Sequence, residues 1–101
     1  MYIVMFEVWP DEKYHDTYLE HALGMRKEAE KIKGFISVER FQSLYENGKL
    51  LSISIWESEE AIKEWKNHAE HKLEQELGKT KYFHSYHIRV AKVEREYGND
   101  S

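Results

Sequence analysis

The chain has 101 residues, the length of one domain, with 15 basic and 19 acidic side chains and a net charge of −4. The charges are interleaved, and because no basic cluster is present to displace counterions, we expect no nucleic-acid partner. No apolar run approaches the ~20 residues that span a bilayer, so we expect no membrane role. Cysteine is absent, which excludes disulfides and thiolate sites and suits a cytoplasmic location.

The first half of the chain predicts a strand, a helix and a second strand. Residues 2–9 are a nearly continuous apolar run ended by Pro10, typical of a strand buried on both faces. Residues 17–33 predict an amphipathic helix, with Gly34 as its C-terminal stop. Its apolar stripe is Tyr18, Ala22, Met25, Ala29 and Ile32. Residues 35–44 predict the second strand.

The second half predicts a hairpin, a helix and a last strand. Asn47-Gly48 lies between two β runs, which predicts a hairpin turn leading into a third strand over residues 50–56. Ser58 is a good N-cap for a second helix ending at Gly78. Its apolar stripe is Ile62, Trp65, Ala69, Leu73 and Leu77. A fourth strand runs from residue 86 to about 94. We expect residues 1–95 to form the domain and residues 96–101 a polar tail.

The element order βαββαβ predicts an α+β, ferredoxin-like fold, in which a four-stranded antiparallel sheet carries both helices on one face. The first strand has large apolar side chains on both of its faces, whereas the helices cover only one face of the sheet. An open apolar sheet face of this kind usually has a partner. We therefore predict a homodimer in which two sheets pack face to face.

Three side chains of the second helix are candidates for a binding site. Trp65 lies on the apolar stripe, so it packs in the core, walls a cleft for an aromatic substrate, or does both. His68 and His71 are three residues apart and share a helix face. Two imidazoles without a further ligand motif do not make a metal site, so we predict no metal. Solvated surface histidines and an acid–base role in a pocket remain open.

Glu7 interrupts the apolar first strand, and Arg89 lies among apolar residues of the fourth. The topology makes these strands antiparallel neighbours. Because a buried charge is costly unless it is paired, an ion pair between Glu7 and Arg89 is a reasonable hypothesis. The alternative is that one or both residues are exposed at the rim of the sheet.

The chain resembles the antibiotic biosynthesis monooxygenase (ABM) family over about residues 2–95. The resemblance rests on seven short motifs. They include a tryptophan at the end of the third strand, and an alanine and a second tryptophan on the helix that follows. The motifs are Gly34-Phe35, Glu39-Arg40-Phe41, Gly48-Lys49-Leu50, Ile55-Trp56, Ala61-Ile62-x-x-Trp65, His71 and Arg89-Val90-Ala91. This resemblance implies a dimeric α/β barrel with a pocket between the sheet and the helices.

The resemblance implies a cofactor-independent monooxygenase that oxidises a small phenol- or hydroquinone-type aromatic with molecular oxygen. In that hypothesis His71 is the catalytic base and Arg89 stabilises the substrate anion. Trp65 contributes to the pocket. Glu7, His68 and Trp56 are predicted to line the substrate-binding site beside it.

Two alternatives remain beside the oxygenase. One is a non-catalytic dimeric module that binds a small molecule, since fold does not fix function. The other is haem binding or haem degradation with His68 or His71 as the iron ligand. Haem-degrading relatives carry the iron-binding histidine about ten residues after the helix tryptophan, where this chain has Gln75. Haem is therefore the less favoured cofactor, and we predict none.

Overall fold

The structure is a computed structural model that describes residues 1–77 and 83–99. Its elements follow the predicted order, with one short 3-10 helix before the first α-helix. In chain order they are β1 (Tyr2–Pro10), the 3-10 helix (Glu12–Tyr14), α1 (His15–Ala29), β2 (Phe35–Gln42), β3 (Leu50–Trp56), α2 (Glu59–Leu77) and β4 (Phe83–Lys92). The predicted βαββαβ order is confirmed.

The four strands form one antiparallel sheet in the order β2-β3-β1-β4. β1 lies between β3 and β4, so the first and last strands of the chain are neighbours. Tyr2 pairs with Trp56 on one side and with Lys92 on the other. The ferredoxin-like fold predicted from the sequence is therefore confirmed.

Local sequence explains where most elements begin and end. Gly34 and Gly48 have φ angles of 100° and 83°, which glycine adopts without the steric penalty of a Cβ atom. Gly48 follows Asn47 in the connection between β2 and β3, and the predicted hairpin is confirmed. The Ser58 hydroxyl accepts a hydrogen bond from the Ala61 amide at 3.2 Å, so Ser58 caps α2 as predicted.

Some predicted boundaries were wrong by several residues. α1 begins at His15 and ends at Ala29, and turns rather than helix complete the segment to Gly34. β4 begins at Phe83, because β1 continues to Pro10 and pairs with it across an irregular register. The predicted stop of α2 at Gly78 lies outside the described residues. Residues 93–99 form neither helix nor strand.

Both helices pack on the same face of the sheet. Alternate β1 side chains Val4, Phe6 and Val8 point towards them and join two core clusters. The first cluster comprises Val8, Tyr18, Ala22 and Leu50. The second comprises Ala29, Ile32, Trp56 and Ala61. The core therefore lies between the helices and the three strands β2, β3 and β1.

The other sheet face carries apolar side chains with neither α1 nor α2 above them. Ile3, Met5 and Ile53 lie on this face and are only partly buried, and Phe41 is 42% exposed. We call this surface the open face. Across residues 1–77 and 83–99, no helix has the length and apolarity needed to cross a membrane.

Candidate functional site

A cavity of about 500 Å³ lies between the sheet and the two helices and is the main candidate site. That volume falls within the range typical of small-molecule sites. Val4, Phe6 and Val8 of β1 form its floor, and members of α1 and α2 cover it. The outer wall is formed by three side chains of the edge strand β4 that are 47–50% exposed and on which neither α1 nor α2 packs closely: Tyr86, Ile88 and Val90. The cavity therefore opens beside β4.

Two tryptophans predicted to bind substrate occupy different positions. Trp65 lines the cavity and is partly buried, and its ring stacks on that of Trp56 at 5.8 Å between centroids. Trp56 is fully buried, and its indole nitrogen donates to the Ser54 hydroxyl at 2.9 Å. Trp65 thus combines core packing with a place in the cavity wall. Trp56 is not among the lining residues and supports Trp65 from behind.

A histidine that the sequence reasoning missed lines the cavity. His21 of α1 has a side chain only 7% exposed, and its Nδ1 lies 3.2 Å from the Glu76 carboxylate of α2. A carboxylate accepts hydrogen bonds, so Nδ1 carries the proton and Nε2 keeps its lone pair in the neutral ring. No residue in the described ranges hydrogen-bonds to Nε2. This pair resembles the orientation of a general base by a carboxylate.

An arginine also lines the cavity. Arg40 of β2 lies on the helix-facing side of the sheet, opposite Ser52 of β3. Burial lowers the pKa of its guanidinium, Tyr18 partly offsets this effect, and the neighbouring Arg26 lowers the pKa further. Tyr18 is 7% exposed, and burial raises the pKa of its phenol to about 12. Tyr18 is therefore neutral at physiological pH, and the cation at this end of the cavity is Arg40.

The two predicted helix histidines lie outside the cavity wall. His68 Nε2 donates to Glu28 of α1 at 2.8 Å, so His68 joins the two helices. The hydrogen bonds from His68 and then Lys31 are the main causes that lower the pKa of the Glu28 carboxyl. His71 is exposed. Neither histidine is among the lining residues, and their roles as base or haem ligand remain predictions.

Glu7 and Arg89 form the predicted ion pair, on the open face rather than in the cavity. The Arg89 guanidinium donates to Glu7, and Lys49 Nζ lies 2.9 Å from the second carboxylate oxygen. These bonds, Lys49 first and Arg89 second, lower the pKa of Glu7, and Glu7 in turn raises the pKa of Lys49. The Arg89 side chain is 58% exposed, so the pair lies at the surface of this chain.

The sequence carried a signal for His21 that the prediction did not use. His21 is three residues after Tyr18 and four before Met25, so it borders the apolar stripe of α1. Arg40 is two residues after the buried Val38, so the sequence also places it on the same face of β2. The sequence does not show which distant residues these two side chains approach, such as Glu76 beside His21. In the described part of the chain, no group of three or more acidic or histidine side chains is arranged to hold a metal ion.

The fold and the cavity define a class: a ferredoxin-like α+β protein with a small-molecule site between its sheet and its helices. Residues 1–76 match the family model described as antibiotic biosynthesis monooxygenase. The chain belongs to this ABM family, and the resemblance noted in the sequence is confirmed.

Individual relatives agree with this assignment. The chain is 39% identical over 93 residues to the jasmonate monooxygenase ABM of Pyricularia oryzae, covering 92% of this chain and 43% of that protein. It is also 36% identical to the uncharacterised protein YqjZ of Bacillus subtilis, covering 94% and 81%. The chain thus spans less than half the length of the Pyricularia protein.

Solved structures show the same fold at low identity. Rv0793 from Mycobacterium tuberculosis superposes with a TM-score of 0.81 at 15% sequence identity, covering 96% of this chain and 98% of that one. At this identity the likeness establishes the architecture alone.

Proposed function

We propose that this chain is a cofactor-independent monooxygenase that oxidises a small, electron-rich aromatic in the cavity beneath α1 and α2. The observation that carries the proposal is the His21–Glu76 pair at the wall of an otherwise mainly apolar cavity that also contains Trp65. Such a site combines an aromatic wall with one oriented proton acceptor. Membership of the ABM family and the monooxygenase name of the Pyricularia relative support the reaction class.

The reaction balances without a bound cofactor. A phenol with a free para position and one O₂ yield a para-quinone and one water, so the substrate supplies all four electrons that reduce dioxygen. Deprotonation of the phenol raises its electron density and starts the reaction. The protein is then required to remove a proton, hold the anion and keep bulk water away.

His21 provides the proton acceptor in this scheme. Glu76 holds Nδ1–H, which leaves Nε2 to take the phenolic proton, and the carboxylate stabilises the imidazolium that forms. Trp65 offers its ring as a stacking surface, fixed by its contact with Trp56. Glu7 and Arg89 take no part in this step, because they lie on the opposite face of the sheet.

Jasmonate is a second candidate substrate, because the 39% identical Pyricularia relative is named as a jasmonate monooxygenase. The matched segment covers only 43% of that protein, so its substrate enters the proposal as a compound to be tested. Hydroxylation of an aliphatic carbon needs two electrons that jasmonate does not supply. Turnover of jasmonate would therefore require an added reductant, whereas turnover of a hydroquinone would not.

The test is oxygen uptake by the purified protein with a panel of phenols, hydroquinones, anthrones and jasmonate, with products identified by mass spectrometry. We expect quinone formation, and a loss of roughly 10²-fold in kcat for His21→Asn, the range typical of a general base. Trp65→Ala should also lose activity. The matched control is His71→Asn, an exposed histidine of α2 that should keep full activity.

Three results would reject the proposal. A normal rate in His21→Asn together with a loss of activity in His71→Asn would identify His71 as the base, as predicted from the sequence. A flat trace over the whole panel with folded protein would favour a binding module. A Soret band on haem addition would then favour haem chemistry.

We also propose that the functional unit is a homodimer joined through the open face. Ile3, Met5 and Ile53 form an apolar strip there, with the Glu7 ion pairs beside it. Packing this strip against the same strip of a second chain would remove apolar surface from water. The same contact would also exclude water from the Glu7 ion pairs.

A further inference from the structure

We propose that the substrate carries a carboxylate, and that Arg40 binds this group inside the cavity. The proposal rests on the proposed function only for the assumption that the substrate occupies this cavity. It adds the chemical class of the substrate, an aromatic or cyclic acid, and names the residue that selects it.

Arg40 places a positive charge at the wall of the cavity. Arg40 is half-buried at the cavity wall, among the side chains of α1 and the sheet. Within residues 1–77 and 83–99, its guanidinium forms no hydrogen bond or ion pair. Its neighbours are the phenol of Tyr18, which is neutral at physiological pH, and a second cation, Arg26. Removing a cation from water without an anion is costly, and a bound carboxylate would offset that cost.

The other charged side chains of the lining each have a residue of opposite charge nearby. Lys66 and Glu70 are exposed, opposite in sign and four residues apart on α2. His21 is paired with Glu76. Among the lining residues that the structure describes, Arg40 is therefore the charge with no anion beside it.

The shape of a guanidinium also favours a carboxylate over neutral groups. A guanidinium presents a planar fork of donors that matches the two oxygens of a carboxylate. The remaining wall at the β1 side is apolar, with Val4, Phe6 and Val8. A ligand with an apolar ring and one carboxylate would satisfy both surfaces at once, with the acid at β2 and the ring towards Trp65.

The experiment measures binding without turnover. Equilibrium dialysis under nitrogen compares 2,5-dihydroxybenzoate with its methyl ester, which has the same hydroquinone ring and no charge. We expect the acid to bind the wild-type protein about 10- to 100-fold more tightly than the ester, the range typical of a hydrogen-bonded charge. Arg40→Gln should abolish this preference while leaving binding of the ester unchanged.

The control is Lys66→Gln, which removes an exposed cation from the same cavity and should keep the preference. If Arg40→Gln does not fold, Arg40→Lys serves instead, and loss of the planar fork should reduce the preference about 3- to 10-fold. Equal binding of acid and ester to the wild-type protein, or a preference that persists without Arg40, would overturn the proposal. Because no oxygen is present, this outcome is independent of whether the protein is an oxygenase.

Discussion

Among the described glycines, Gly34 is the one where an added methyl group should most disturb the packing of α2. Its φ angle is 100°, and a Cβ built on it would lie 2.9 Å from the Cβ of Ala61 in α2. Ala61 is 4% exposed, and its Cβ cannot rotate away because it is attached directly to the helix backbone. The Gly34 carbonyl also accepts the Glu57 amide at 2.8 Å, which fixes this connection at the start of α2.

The expected cost of Gly34→Ala has two parts. A Cβ in the left-handed region costs about 1–2 kcal/mol, reduced by about 0.4–1 kcal/mol because alanine restricts the unfolded chain. Overpacking against Ala61 adds about 1–3 kcal/mol. Gly48 has a φ of 83° and no atom within 4 Å of the position that a methyl group would take, so Gly48→Ala carries the first part alone.

Thermal unfolding of both variants at one protein concentration measures the difference. At roughly 4–8 °C per kcal/mol for a domain of this size, Gly34→Ala should melt at least about 4 °C below Gly48→Ala. Equal melting temperatures would refute the reasoning, because they would mean that α2 moves away from Gly34 at no cost. The reverse order would show that the hairpin turn matters more than the helix contact.

Two further predictions concern the open face. Lys49 and Arg89 lower the pKa of Glu7, so Glu7 stabilises the fold above its unfolded pKa, and this contribution is lost as pH falls through the lower folded pKa. Between about pH 5 and pH 3, the melting temperature of the wild type should therefore fall more steeply with decreasing pH than that of Glu7→Gln. An equal fall in both proteins would contradict the assignment. Ile53→Arg should convert the proposed dimer to a monomer in sedimentation equilibrium, whereas Leu44→Arg, at a site 97% exposed, should not. A wild-type monomer would reject the dimer itself.

The sequence predicted the fold well because its signals are local. The apolar stripe of α1, Asn47-Gly48 and Ser58 each act within a few residues of chain, and each has the predicted structural effect. The predicted ends of the strands were less accurate where pairing with a neighbouring strand sets them. Phe83, for example, begins β4 opposite Pro10 of β1.

The candidate site was predicted less completely because it depends on distant partners. Trp65 could be placed at the cavity from the sequence, because its position on the apolar stripe of α2 points its side chain towards the sheet. His21 gains its significance from Glu76, which lies 55 residues away on another helix. Arg89 was correctly paired with Glu7, but the sequence alone did not show that this pair lies on the face opposite the cavity.

The neighbouring position of β1 and β4 has a consequence for how the protein folds. The pairing of Tyr2 with Lys92 closes a loop of almost the whole chain, whereas the β2–β3 hairpin closes over a few residues. Loop closure of this length costs entropy and slows folding, so we expect the hairpin to form early and β4 to join last. Because β4 supplies one wall of the cavity, the binding site is completed only in that final step. A ligand that binds there would then hold the two ends of the chain together and slow unfolding.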